Sequence, residues 1–337
     1  MRIWFDITNT PQVHFILAIK GALEKRTFFK SVITTREFSE TTKLLREKTD
    51  TPFQIIGTHR GKKTLNKISG LFGRFFEIHR EVSGYDISIS CGSDAAIWSS
   101  FLKRKKSIAF GDNDLAKQWT YGVMVNHTFF PDAIDESILV KQGISARRLT
   151  RYHGFKEDIY IADYVPEADF PASVPFDNYV VVRPENLQAN YINNDSAKPI
   201  TPLLLKKLSD SGYNIFYLPR YNIDRNYAKD VPNVYVPEQP INGLDACYYA
   251  DAVLTGAGTF AREAACLGVP SFSFFAGKRL LAVDRAMIKE GKMFFSRDVD
   301  ELMVELKKSS RHEVDLSRSK AVQKEVIDKL KSVIEGF

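Results

Sequence analysis

The chain has 337 residues, 44% hydrophobic and 26% charged, with 47 Lys and Arg against 41 Asp and Glu. That length exceeds one ordinary core and suits two domains of about 150 residues each, with the composition of a soluble globular protein. The start, MRIWFDITN, enters a strand pattern and reaches Asp6 before any long apolar run, so neither a signal peptide nor a membrane span fits, and a cytoplasmic protein is expected.

The alternation of strand-like runs with helical periods begins at once: MRIWFDI, a helix over 13–26, the strand KSVITT and a helix near 37–48. It continues with FQIIG, a helix over about 65–82, YDISISC, a helix over 94–103 and KSIAFGD, giving five or six strands in the first half. Within this half, residues 57–80 combine Lys62, Lys63, Lys67, Arg74 and Arg80 with Leu65, Ile68, Leu71, Phe72, Phe75 and Phe76. Such a stretch suits an anionic membrane surface and, more commonly, a core-packed helix with a basic solvent face. A Pro-rich segment at 165–178 then marks a domain entry. Beyond it come NYVVVRPE, a helix over 201–211, NIFYLPR, VPNVYVP, a short helix near 243–249, DAVLTGAG, a helix carrying Glu263, and SFSFF. Val322, Val326, Ile327, Leu330, Val333, Ile334 and Phe337 close the chain with a one-faced helical stripe that requires a partner surface on the body of the protein. The expectation is two successive α/β units: residues 1–164, residues 165–319, and an amphipathic helix over 320–337 packing back.

Ligands of open parallel sheets bind beyond the carboxyl ends of the strands, which directs attention to the residues after each strand. In the second half these are Arg183, Glu185 and Asn186, then Arg220, then Gly256-Ala257-Gly258-Thr259. Gly256 and Gly258 permit close backbone approach, Thr259 is placed to cap the following helix, and Glu263 lies one turn on, at a reach suited to a sugar hydroxyl. A tight turn with a solvated glutamate is the bland alternative. The pattern is not the dinucleotide fingerprint, because Ala261 stands at the third glycine position.

In the first half the strand ends supply Asp6, Asn9, His14, His59, Asp94, Asp112 and Asp114. His14 at its ordinary pKa near 6.5 is a candidate for proton transfer; otherwise it bonds only to the backbone at a helix start. Asp94 is likewise a candidate base or simply the cap of a helix beginning at Ala95. The six histidines lack paired metal-ligand spacing, and Cys91, Cys247 and Cys266 are widely separated, so neither a metal nor a disulfide framework is expected. Charge is uneven: residues 1–160 carry 25 Lys and Arg against 17 Asp and Glu, and residues 161–337 carry 22 against 24. A basic half suits a phosphorylated substrate, an anionic lipid surface or nucleic acid, and equally a solvated surface; no recognised nucleic-acid module is present, so no nucleic-acid partner is expected.

The segment GAGTFAREAACLGVP, with NGLDACYYADAVLTGAG before it, resembles the donor-binding part of the two-domain glycosyltransferase superfamily of the GT-B fold. The relevant branch holds the peptidoglycan lipid-linked N-acetylglucosaminyltransferase and the non-hydrolysing UDP-N-acetylglucosamine 2-epimerases. The opening DITNTPQVHF resembles that of an uncharacterised prokaryotic family common in archaea. The resemblance implies two Rossmann-like parallel-sheet domains facing a central cleft, Gly256, Gly258 and Thr259 on a diphosphate, Glu263 on ribose hydroxyls, and Asn242 to Leu244 near the base. It further implies a UDP-sugar as substrate with no cofactor, Arg183, Glu185 and Arg220 on the donor side, Asn9 and His59 on the acceptor side, and His14, Asp94 or Asp112 as catalytic groups. RPEN at 183–186 is similar to the epimerases' R-E-N, and Gly92-Ser93-Asp94 to their G-D-T offset by one residue. Their E-R-P-E segment is absent after SFSFF, and TNTPQVH lacks the glycines of the lipid-linked transferase's loop. The leading expectation is a metal-independent glycosyltransferase in surface polysaccharide or glycolipid assembly, acting on an anionic or lipid-linked acceptor, with a peripheral contact of the basic first domain at the inner membrane face. The alternatives are a UDP-sugar 2-epimerase and a non-catalytic nucleotide-sugar-binding protein.

Overall fold

The computed structural model describes residues 1–37, 39–58, 64–187, 198–239 and 241–337. The chain divides into two compact units, Met1–Tyr160 together with Lys320–Phe337, and Ile161–Ser319.

The first unit carries strands β1 (Arg2–Ile7), β2 (Lys30–Glu37), β3 (Phe53–Thr58), β4 (Ile87–Ser90), β5 (Lys106–Phe110), β6 (His127–Pro131) and β7 (Leu149–Tyr152). They form one parallel sheet in the order β3-β2-β1-β4-β5-β6-β7. Helices α1 (Pro11–Glu24), α2 (Ser39–Lys48), α3 (Thr64–Glu81), α4 (Asp94–Leu102), α5 (Glu136–Lys141) and α6 (Lys156–Ile161) connect them. The direction of winding reverses between β1 and β4, the place where a parallel sheet opens a crevice for ligands. On one face Trp4, Phe75, Ile78, Val82 and Tyr85 make a core, with the Trp4 and Tyr85 rings 4.9 Å apart. Seven strands exceed the five or six expected, since β7 reads LTRY, without an apolar run. In β4 all four residues of ISIS are buried, and Ser88 meets this burial by sharing a 2.8 Å hydrogen bond with Ser100.

The second unit holds β8 (Val180–Arg183), β9 (Ile215–Tyr217), β10 (Val234–Tyr235), β11 (Ala252–Thr255), β12 (Ser271–Ser273) and β13 (Phe294–Phe295) in a parallel sheet ordered β10-β9-β8-β11-β12-β13. Its helices are α7 (Thr201–Asp210), α8 (Gly243–Tyr249), α9 (Gly258–Cys266), α10 (Ala282–Lys289) and α11 (Val299–Lys308). Val180, Val182, Leu204, Leu208, Tyr217, Leu254 and Leu302 fill its core. Here the winding reverses between β8 and β11, bringing the ends of those strands side by side.

The last helix, α12 (Ser317–Glu335), returns to the first unit from Lys320 onward. Val326 and Leu330 are wholly buried, the Gln323 amide donates to the Ile159 carbonyl at 3.0 Å, and the Lys329 ammonium donates to the Arg151 carbonyl at 2.9 Å. Gly154 adopts φ +96°, and a Cβ there would stand 2.6 Å from a Val322 methyl, so glycine lets the helix close down on this strand end. All three cysteines are free thiols.

Candidate functional site

In the second unit the turn between β11 and α9 is built by steric need. A Cβ on Gly256 would lie 2.6 Å from the Glu185 Cα, so the close approach that this glycine permits is to the end of β8. Gly258, by contrast, has an Arg262 terminal nitrogen at 3.2 Å from a notional Cβ, and that guanidinium is itself buried and paired with Asp284 at 2.8 Å. The expected capping by Thr259 is corrected: α9 starts at Gly258, the N-cap is Ala257, and no side chain caps the helix. Thr255 takes the turn instead, accepting from the Ala257 N–H at 2.9 Å, while the Thr259 hydroxyl accepts from Arg262 at 3.3 Å. With no acid in its first turn, α9 presents uncapped N–H donors and the positive end of its dipole beside β8 and β11.

Arg183 ends β8 with its guanidinium 5.1 Å from the Phe260 ring centre. The buried Cys247 thiol is pushed up by burial and then by the Glu263 charge, with Arg183 opposing, which locates Glu263 and Arg183 around one sulfur. Arg183, Gly258, Thr259 and Glu263 are thus gathered at the switch point. Glu185 faces elsewhere: its carboxylate accepts from the Ile200 N–H at 2.8 Å and the Thr201 hydroxyl at 2.5 Å, fixing the start of α7, with Arg297 at 3.5 Å. Arg220 follows β9, and its buried Nε has no hydrogen-bond partner among the described residues. The Asn242 side chain accepts from the Leu244 N–H and caps α8. A cavity of about 260 Å³ lined by Val180, Asp251, Ala252 and Arg311 opens at the amino ends of β8 and β11, opposite to this cluster.

In the first unit the helix after β4 is capped by Ser93, whose hydroxyl accepts from the Ala96 N–H. Asp94 is therefore the first helical residue and not the cap, and its Oδ1 is buried without a hydrogen-bond partner among the described residues. Burial pushes the Asp94 carboxyl above its ordinary value of 3.8, a hydrogen bond from Thr120 opposing. The Tyr121 phenol is raised by burial and then by Asp94, Cys91 and Asp112, so the two aspartates share this neighbour. Gly92, at φ +68°, leaves room for that ring, since a Cβ would stand 2.9 Å from the Tyr121 hydroxyl. Asp112 pairs with Lys156 at 2.6 Å. One turn along α6 the Tyr160 ring stacks on His14, centroids 6.0 Å apart. Burial and the nearby Lys48 charge bring the His14 imidazole down to about 4, which leaves it neutral but weakly basic. The Asn9 side-chain oxygen is buried without a partner among the described residues, and His59 lies outside them.

A third group at the same sheet edge joins Asp6, one of the strand-end residues, to a partner that the sequence did not single out. Arg74, expected on a basic solvent face, is buried: it donates to both oxygens of the wholly buried Asp6, at 2.6 and 3.0 Å, and to the Ile56 carbonyl at 3.0 Å. The Thr34 hydroxyl donates to Asp6 at 2.6 Å and receives the Trp4 indole N–H at 2.8 Å. Burial alone would raise the Asp6 carboxyl, but the Arg74 charge and the hydrogen bonds from Arg74, Ser93 and Thr34 hold it below 3.8. Spacing carried the clue, because Arg74 falls among Leu71, Phe75, Ile78 and Val82 on the buried stripe of α3. Among the described residues no group of three or more His, Cys, Asp or Glu is placed to hold a metal ion.

This arrangement has known counterparts in fold. An uncharacterized protein of Methanocaldococcus jannaschii is 25% identical over 322 residues, covering 90% of either chain. The crystal structure of the UDP-GlcNAc 2-epimerase of the same organism, in complex with UDP-GlcNAc and UDP, superposes with a TM-score of 0.71 at 15% identity, covering 98% of this chain and 100% of that one. The glycotransferase of kitacinnamycin superposes at 0.64 with 10% identity, covering 99% and 98%. At these identities the likeness establishes the fold, two parallel-sheet Rossmann-like domains of the GT-B type. A family profile matches residues 1–335, nearly every residue described above, and the chain belongs to that family, the Protein of unknown function (DUF354) family.

Proposed function

We propose that this protein is a UDP-sugar glycosyltransferase whose second unit holds the donor. The observation that carries the reading is the uncapped amino end of α9 gathered with Arg183 and Glu263 at the β8/β11 switch point. Helix donors and Arg183 receive the diphosphate, and Glu263 accepts from ribose hydroxyls. Arg220, whose buried Nε has no partner among the described residues, is a further donor for the same diphosphate. Solved GT-B neighbours that hold UDP-GlcNAc and UDP support a nucleotide sugar as the ligand class.

In the first unit Asp94 serves as general base. It takes the proton of the acceptor hydroxyl as that oxygen bonds to the anomeric carbon, while the carbon–oxygen bond to the diphosphate breaks and UDP leaves with the electron pair. Asp94 is favoured over His14 because its Oδ1 is buried without a partner among the described residues and burial makes the carboxylate more basic, whereas burial makes the imidazole less basic, down to about 4. The proposed reaction requires no metal, so a chelator should leave its rate unchanged.

The reading is tested by incubating the protein with a panel of nucleotide sugars without acceptor and following binding and sugar identity by NMR. One UDP-sugar should bind and remain intact, and Glu263→Ala should lose that binding while its circular dichroism spectrum is unchanged; full binding by the variant would sink the donor-site assignment. The gathering of Asp94 and Asp112 around Tyr121 favours one second reading, a 2-epimerase with two acid–base groups. Inversion at carbon two in the same experiment would establish it.

A further inference from the structure

We infer that Arg36, beside Arg74 at the carboxyl edge of the first sheet, is the receptor for an oxyanion, a phosphate or carboxylate group carried by the molecule that the first unit binds. Arg36 sits where the pairing of β2 with β3 shifts register, between Thr35 and Glu37. The extra residue lies on β3, where Ile56 and Gly57 oppose the single Arg36, so β2 keeps its alternation; irregularities of this kind recur next to active sites. Thr34, two residues earlier and so on the same side of the strand, hydrogen-bonds to Asp6. The Arg36 guanidinium is held down by burial and then by the Arg74 charge, with Asp6 opposing, so it belongs to the same cluster.

Within that cluster charge does not balance. Two guanidinium groups share one carboxylate, and Asp6 already accepts from both terminal nitrogens of Arg74 and from Thr34. The Arg36 Nε is buried with no partner among the described residues. An unpaired buried donor is destabilising, and so is the surplus of positive charge beside it. An oxyanion bound by the planar fork of Arg36 removes both penalties. The place is also right, since β2 ends on the ligand side of the sheet, two strands from β4, which Asp94 follows. That the anion belongs to the sugar acceptor rests on the transferase reading, but the anion site itself does not.

The experiment uses the full chain and three probes: inorganic phosphate, acetate and UDP, titrated by calorimetry into the wild type, Arg36→Gln and Arg36→Lys. Phosphate or acetate should bind the wild type, weaken about ten- to a hundredfold in Arg36→Gln, and recover only in part in Arg36→Lys, which restores the charge without the fork. Preference for phosphate or for acetate assigns the group. UDP binding should be the same in all three proteins. If neither anion binds the wild type, or both bind Arg36→Gln as well, the site does not exist. Should Arg36→Gln fail to fold, anion-induced thermal stabilisation of the wild type against Arg36→Lys decides by the same comparison. Loss of UDP binding everywhere, with anion binding still dependent on Arg36, would overturn the transferase reading and leave this site standing.

Discussion

Asp6 has no exposed surface, and its ionised form depends on Arg74. Arg74→Met should cost about 3–5 kcal/mol near neutral pH, the penalty for stranding a buried charge. The sign of its pH dependence follows. In the wild type the Asp6 carboxyl lies below its ordinary 3.8, so the pair stabilises the fold fully above that value and the contribution is lost as pH falls through the folded pKa. Without Arg74 the burial that raises the carboxyl is opposed only by the Thr34 and Ser93 hydrogen bonds and the Arg36 charge, so the variant should lose much less stability on acidification through the same range. Urea unfolding between pH 3 and 7 would show a shallower acid slope in the variant; parallel slopes would mean that Asp6 does not depend on Arg74. Asp94 gives a kinetic counterpart. Its carboxyl is raised, so kcat/KM should fall on the acid side through a value above 3.8, and Asp94→Asn should lower the rate about 10²–10⁴-fold and abolish that limb. His14→Gln should preserve the limb, because an imidazole at about 4 is neutral across the working range.

At the level of elements, the β11–α9 turn contains two glycines with different duties. Gly256→Ala drives a methyl into the Glu185 backbone at 2.6 Å, where neither strand end can yield cheaply, and should destabilise the second unit by about 1–3 kcal/mol. Gly258→Ala meets the Arg262 guanidinium at 3.2 Å, a side-chain and not a backbone contact, so it should cost less stability than Gly256→Ala and weaken UDP binding by obstructing the helix end. Thermal melts and nucleotide titration of the two variants separate these roles, and equal destabilisation by both would refute the assignment. The glycine turn was legible in the sequence because its strand, turn and helix are contiguous, yet the partner that makes Gly256 necessary, Glu185, is 71 positions away in the chain and was read as a ligand-binding residue. The same limit hid the edge strands. β13 is only Phe294 and Phe295, and β7 offers no period, so the pairing that makes them strands is tertiary. Arg74 shows a third kind of omission: composition suggested a solvated cation, and only its place on the helical stripe pointed inward.

For the whole molecule the order of the chain and the make-up of the two units differ. The apolar stripe of the last helix was plain in the sequence, but its partner was given there only as the body of the protein. In the structure that partner is the first unit, so a unit begun at Met1 is completed by Lys320–Phe337 after all of Ile161–Ser319 has intervened. Val322, Val326, Ile327, Leu330 and Ile334 are buried there, and Leu330→Ala should cost about 2–5 kcal/mol. A fragment of residues 1–160 should accordingly lack a cooperative melt and bind a hydrophobic dye, whereas residues 161–319, whose core is closed among their own strands and helices, should fold alone. Adding a peptide of residues 317–337 to the first fragment should restore its cooperative transition at a midpoint that rises with peptide concentration, as mass action requires. A fragment 1–160 that melts cooperatively, and no higher with the peptide than without it, would show that α12 is a passenger on the first unit and not part of its core.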